Sequence, residues 1–212
     1  MLKWSKLLNK RSGVSPRIPS LGFLPKRSFA LGAGFSYPAP RSLGELVHIE
    51  QLSKESPDVI RSIWVEHHDT IQSATASALS AADYKRIVSR AQSTPFFTFP
   101  VQRETGFFTL LSQFQDKSWL MTYIEDFRRD PAAAQPYLII TAYPELADSK
   151  DLVLLRADIC AAATLSKVDA TKLLRQAIEA YSNDDLYQFV FDFNLAPRKF
   201  DFAEAQRAFE KL

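Results

Sequence analysis

The side chains that most often carry out catalysis or bind metals are few and scattered in this 212-residue sequence. The three histidines are His48, His67 and His68. On a helix, adjacent side chains such as His67 and His68 diverge by about 100°, so they cannot form the ligand face that an i, i+4 spacing gives. No His-Glu-x-x-His or Cys-x-x-Cys motif is present. We therefore expect no metal site, with His67 on a helix flank and His68 in solvent.

The acidic pairs and the cysteine do not form a reactive group either. Glu125-Asp126 lies within a predicted strand, where neighbouring side chains point to opposite faces. Asp184-Asp185 falls at a loop or helix start and is interpreted as surface charge or a cap. Cys160 is the single cysteine, has no histidine close in sequence, and excludes an intrachain disulfide. We expect no enzymatic activity, and a reducing compartment.

The glycines are placed where they cannot bind a nucleotide. Of the six glycines, only Gly106 lies after residue 44. Phosphate-binding loops need glycines because the backbone must approach the phosphate closely. We therefore expect no nucleotide cofactor, and nothing in the sequence indicates any other cofactor.

Charge is divided unequally along the chain. Residues 1–44 contain eight of the 26 Lys and Arg residues and no Asp or Glu. The remaining 18 basic residues face 24 acidic ones, so residues 45–212 are negative, which argues against nucleic-acid binding. No run of about 20 apolar residues is present to span a membrane.

The basic start has the pattern of a mitochondrial address. Residues 2–11 predict a short helix with Trp4, Leu7 and Leu8 on one face and three lysines on another. Arg27-Ser28-Phe29 precedes Ala30 in the manner of a matrix-processing site. We predict a transit peptide over residues 1–29, a disordered Gly- and Pro-rich linker over 30–44, and location in the mitochondrial matrix. The alternative is a disordered basic tail.

The rest of the chain, residues 45–212, predicts one α+β domain. Its helices are marked by N-terminal capping residues at Ser56, Ser80, Ser166 and Asp201. Between them the apolar period changes to two, which predicts five strands. The five predicted strands cover residues 97–101, 108–114, 119–127, 137–143 and 152–159. Their connections are too short for crossover helices. We thus expect a mainly antiparallel sheet of about five or more strands, flanked by N-terminal and C-terminal helices. The segment 186–193 is ambiguous between strand and helix.

Several segments together resemble the mitochondrial ATP synthase assembly factors that bind the beta subunit of the catalytic head. The similarity spans roughly residues 43–212 and is carried by four motifs in order. These motifs are Ile63-Trp64 with His67, residues 100–106 with Phe108 and Gln113-Phe114, residues 143–146 with Lys150 and Val153-Leu154, and residues 193–197 with Phe200. The loop from Arg129 to Gln135 departs from the pattern.

The resemblance implies a non-enzymatic chaperone that binds the free beta subunit and prevents its aggregation until the alpha subunit replaces it. We expect the free protein to be a monomer. The candidate partner-binding residues lie in two connecting segments and are Tyr143, Pro144, Glu145, Leu146, Asn194, Leu195 and Pro197. The alternatives are that these leucines pack back onto the sheet, or that the protein is a matrix enzyme or small-ligand-binding protein with a pocket on the sheet.

Overall fold

The structure is a computed structural model, and it describes residues 40–212. The predicted transit peptide and most of the predicted linker lie outside these residues. Ordered structure begins earlier than predicted, because helix α1 (Leu43–Leu46) contains the last two residues of the predicted linker. Leu43 is buried in the core, and Ser42 and Glu45 form a capping box at the helix start.

The described part of the chain forms nine helices and one six-stranded sheet, so the predicted α+β class is confirmed. After α1 the elements in chain order are α2 (Ile49–Leu52), α3 (Pro57–Asp69), β1 (Ala74–Leu79), α4 (Ala81–Ser93), β2 (Phe96–Arg103), β3 (Gly106–Gln115), β4 (Ser118–Tyr123), α5 (Ile124–Arg129), β5 (Pro136–Tyr143), α6 (Ala147–Lys150), β6 (Val153–Ile159), α7 (Lys167–Ser182), α8 (Asp184–Leu195) and α9 (Phe202–Glu210).

All neighbouring strands of the sheet are antiparallel, and their order is β1-β6-β5-β4-β3-β2. The turn between β3 and β4 lies at Asp116-Lys117, and Asp116 has a positive φ of 55°. Gly106 in the preceding hairpin has φ 114°, which only glycine adopts without strain. Pro100 lies in β2, an edge strand, where a missing N–H is tolerated.

The two faces of the sheet are covered differently. One face packs against α4, α7, α8 and α9, and its core contains aromatic residues such as Phe97, Phe99 and Trp119. On the opposite face, α1 to α3 cover the β6 end, where Trp64 and Tyr143 meet. Farther along that face, Ile124 and Phe127 of α5 pack near Leu111 and Leu120. The sheet therefore has helices packed on both of its faces.

The structure differs from the sequence predictions, or goes beyond them, in three elements. Strand β1 was not predicted, because its sequence Ala-Thr-Ala-Ser-Ala-Leu lacks the large alternating residues that mark a strand. The strand predicted over 119–127 ends at Tyr123, and Ile124 begins α5, so Glu125 and Asp126 lie in the first turn of a helix. The ambiguous segment 186–193 is helical, since Asn183 caps α8 by accepting hydrogen bonds from two backbone N–H groups.

Candidate functional site

The first predicted partner-binding segment, Tyr143 to Leu146, packs largely inward. Tyr143 ends β5 and is 1% exposed, with its ring edge-on to Trp64 and its hydroxyl donating to the Arg41 carbonyl. Burial raises the pKa of Tyr143 to about 12, so the hydroxyl stays protonated. Leu146 is 2% exposed and packs in the same cluster as Trp64. These two side chains are therefore core residues, and the alternative that the leucine packs onto the sheet holds here.

In that segment Pro144 is half-buried and Glu145 is exposed, and the short helix α6 that follows lines an open groove of about 750 Å³. The groove lies between the starts of α3 and α4 and the short helix α6, and Ala81, Ala82 and Ala147 are among its lining residues. Lys150 on its rim donates to the Glu55 carbonyl and so ties α6 to the start of α3. The N-terminus of α4 is already occupied, because the Ala81 N–H donates to the Asp151 carboxylate.

In the second predicted segment, Asn194 to Pro197, the first residue has a structural role, and Leu195 and Pro197 are exposed. Asn194 holds the end of α8 against the edge of β2. Its amide oxygen accepts from the Phe96 N–H at 3.1 Å, and its amide nitrogen donates to the Phe96 carbonyl at 2.6 Å and to the Val190 carbonyl at 2.8 Å. Leu195 is 59% exposed, and Pro197 is also exposed. Of the residues predicted from this segment, Leu195 and Pro197 are the ones available to a partner.

Sequence reasoning missed Phe191, which is 39% exposed. Phe191 and Leu195 are four residues apart on α8, so they lie on one face, opposite the buried Leu186 and Val190. A helical wheel of α8 would have found Phe191, but no wheel applies to a segment left ambiguous between strand and helix. We call Phe191, Leu195 and Pro197 the α8 surface.

Of the two histidine predictions, the one for His67 agrees with the structure and the one for His68 is wrong. His67 is half-buried on the flank of α3, as expected, but His68 is buried and not in solvent. Its Nδ1 lies 2.7 Å from the Trp64 carbonyl, and its Nε2 lies 3.4 Å from an Arg156 guanidinium nitrogen. Burial lowers the pKa of His68 to about 3, and Arg156 also disfavours the charged form, so the ring is neutral. The helix places His68 inward because it lies one turn after Trp64.

The hairpin motif at residues 100–106 also has a structural role. Arg103 at the end of β2 donates to the Thr164 carbonyl and to both carboxylate oxygens of Asp169, which completes the capping box of α7 with Ser166. Its guanidinium also lies over the Phe108 ring, 4.9 Å from the centroid. Gln102 donates to Glu210 of α9. These contacts join the hairpin to two helices of the layer that covers the sheet.

The remaining candidates for chemistry do not come together in the described part. Cys160 follows β6, and desolvation together with the Asp158 carboxylate raises its pKa to about 11, which makes its thiolate scarce at neutral pH. Asp184 begins α8 and pairs with Arg90 of α4, which lowers the pKa of its carboxyl. Across residues 40–212, no group of three His, Cys, Asp or Glu residues is arranged to hold a metal ion. In the same range, no helix has the length and hydropathy to cross a bilayer.

The fold and these sites define a class of protein: an α+β domain that presents an apolar helical surface and a shallow groove beside a filled core. The family model described as ATP11 protein matches residues 33–204, and the chain belongs to this family. The resemblance found in the sequence is thereby confirmed.

The chain is similar to three vertebrate proteins, each named ATP synthase mitochondrial F1 complex assembly factor 1. It is 26% identical to the Homo sapiens protein over 164 residues, 25% identical to the Mus musculus protein over 164 residues and 23% identical to the Danio rerio protein over 163 residues. Each match covers 76% of this chain but only 49%, 50% and 53% of the relatives. The chain therefore spans about half the length of the curated relatives it matches.

Proposed function

We propose that this protein is a chaperone for assembly of the ATP synthase catalytic head in the mitochondrial matrix. It binds the free beta subunit and keeps it from aggregating until the alpha subunit takes its place. The observation that carries the proposal is the family match over residues 33–204, because the similar vertebrate proteins are named for assembly of the mitochondrial F1 complex. The basic, acid-free start of the chain supports the compartment.

The α8 surface supports a role in binding a protein. An unassembled subunit of a ring exposes apolar flanks, and such flanks aggregate unless they are covered. A temporary partner needs a few apolar side chains in a fixed geometry. Phe191 and Leu195 meet this need, because the two hydrogen bonds between the Asn194 amide and the Phe96 backbone fix the end of α8 on the sheet.

A chaperone complex must also come apart when the permanent neighbour arrives. The α8 surface has only three members, which favours moderate affinity. We expect a dissociation constant between about 1 μM and tens of nanomolar, roughly −8 to −10 kcal/mol.

The alternative of a ligand pocket on the sheet finds less support in the geometry. Large aromatic residues of the sheet, which could have lined such a pocket, are packed against helices: Phe97 and Phe99 contact Phe209, and Trp119 lies beside Tyr181. The groove of about 750 Å³ lies elsewhere, at the edge formed by α3, α4 and α6. We therefore propose a binding surface, with no catalytic role.

The experiment uses the full chain and isolated beta subunit. Light scattering follows aggregation of the beta subunit at about 1 μM after dilution from denaturant, with increasing amounts of the protein. We expect suppression near equimolar amounts, relieved when alpha subunit is added. Isolated alpha subunit serves as the specificity control. Unchanged beta-subunit aggregation at a tenfold excess of the protein would overturn the proposal.

A further inference from the structure

The exposed side of α8 changes character along its length. Asp184, Gln188, Phe191 and Leu195 follow one another at spacings of four, three and four residues, so they form one stripe on the helix. The N-terminal half of the stripe is polar and the C-terminal half is apolar. This stripe is exposed, while Leu186 and Val190 on the other side are buried in the core.

The two ends of α8 carry opposite charge. Asp184 and Asp185 begin the helix, and Arg198 and Lys199 follow its C-terminal end. Asp184 pairs with Arg90, but its side chain is 82% exposed. Asp185, Arg198 and Lys199 make no ion pair with any residue from 40 to 212. An apolar stripe thus has free charge of opposite sign at either end.

This pattern is complementary to itself in one orientation. If two α8 helices pack antiparallel about a twofold axis at Phe191, Asp184 and Asp185 of one copy face Arg198 and Lys199 of the other. The same arrangement sets Leu195 opposite Tyr187, which is half-buried. A parallel arrangement would instead bring like charges together at both ends.

We propose that the α8 surface binds a second copy of this chain, so that the free protein, expected from the sequence to be a monomer, forms a weak antiparallel dimer at high concentration. One helix pair buries less than the about 1,200 Å² that stable complexes bury, which makes the association weak. We expect monomers at about 1 μM and dimers at several hundred μM. This inference goes beyond the proposed function and does not depend on it, although a partner bound to the α8 surface would displace the second copy.

Cysteine cross-linking tests the orientation in the full chain. Cys160→Ser removes the native thiol, and Phe191→Cys then places one thiol on the expected axis, where two copies meet within disulfide reach. The control is Val168→Cys, since Val168 is exposed on α7 and lies outside the α8 surface. On mild oxidation at about 300 μM we expect disulfide dimers to form at least tenfold faster for Phe191→Cys than for Val168→Cys. Equal rates would overturn the proposal.

Charge reversal distinguishes the antiparallel dimer from nonspecific association of exposed apolar side chains. With Phe191→Cys present, Arg198→Glu or Asp185→Lys alone puts like charges opposite each other at both ends, and we expect several-fold slower cross-linking at low salt. Mixing the two variants restores opposite charges in the heterodimer and should restore the rate. No recovery in the mixture, or sedimentation of the unmodified chain as a monomer at several hundred μM, would contradict the dimer. Neither result bears on the proposed function, because the aggregation assay is run at about 1 μM, where the chain is monomeric.

Discussion

Two connecting segments of this protein have similar residues, but the leucine of one is buried and the leucine of the other is exposed. Each combines a proline with a leucine at a junction between elements, and the sequence predicts the same partner-binding role for both. Leu146 is 2% exposed beneath α3, whereas Leu195 is 59% exposed at the end of α8. The difference arises because three N-terminal helices cover the β6 end of the sheet, and no described element covers Leu195. An apolar residue in a loop therefore indicates an interface only when the neighbouring elements leave it uncovered.

The largest expected effect comes from placing a charge in the first segment. Leu146→Asp puts a carboxylate among the buried side chains of Trp64, Tyr143 and Leu152. We expect a loss of about 4 kcal/mol or more in the free energy of unfolding, measured by thermal melting and urea titration. Leu146→Met keeps the volume and serves as the control, with a loss below about 1.5 kcal/mol. An unshifted melt for Leu146→Asp would return this residue to the list of surface candidates.

In the second segment, we expect stability to depend on Asn194, which lies in the last turn of α8 together with Leu195. Asn194→Ala leaves the N–H and the carbonyl of Phe96 without their side-chain partner at a part-buried edge. We expect a loss of roughly 1 to 3 kcal/mol and faster hydrogen exchange at the Phe96 amide. If the Phe96 N–H kept its native protection from exchange in the variant, the hydrogen bonds of the Asn194 side chain would not be important for stability.

We expect acid to destabilise the protein near Leu146, because the buried His68 lies next to Trp64, which packs in the same cluster as Leu146. The folded protein holds the pKa of His68 at about 3, well below the ordinary value of 6.5, so the unfolded chain takes up a proton that the folded one refuses. The stabilising contribution of the neutral ring is complete above about pH 6.5 and declines toward pH 3, by at most about 1.4 kcal/mol per pH unit.

His68→Gln removes this titration. We expect its unfolding free energy to fall less steeply than that of the unmodified protein between pH 6.5 and 4.5, as measured by urea titration at several pH values. His67→Gln is the neighbouring control and should keep most of the slope, since His67 is less buried. Parallel curves for the unmodified protein and His68→Gln would contradict the buried neutral ring.

Most of the fold was predictable because its signals are local. Capping residues marked the starts of α3, α4, α7 and α9, and alternating aromatic residues marked β2 and β3. Strand β1 escaped because alanines and serines carry no strand preference, and it is a strand through pairing with β6, a partner about 80 residues away.

The site was less predictable, because exposure depends on contacts distant in sequence. The sequence around Tyr143 and Leu146 does not indicate that Trp64, about 80 residues earlier, packs against them. Asn194 resembled a polar rim residue, and only its contact with Phe96 reveals a structural amide. Leu195 was correctly placed at the surface, although whether it contacts a partner remains a prediction.

The smallest effect on stability is expected at Leu195, and a change there tests whether the α8 surface binds the beta subunit. Leu195→Asp changes an exposed side chain at a helix end, so we expect less than about 0.5 kcal/mol of change in unfolding free energy. Val168→Asp is the matched control, because Val168 is the more exposed of the two and lies on α7.

Both variants are compared with the unmodified chain in the aggregation assay with isolated beta subunit. We expect that Leu195→Asp, with an unshifted melt, needs at least a tenfold higher concentration to suppress aggregation, while Val168→Asp suppresses aggregation normally. Full suppression by Leu195→Asp, or equal loss in both variants, would contradict the assignment of beta-subunit binding to the α8 surface.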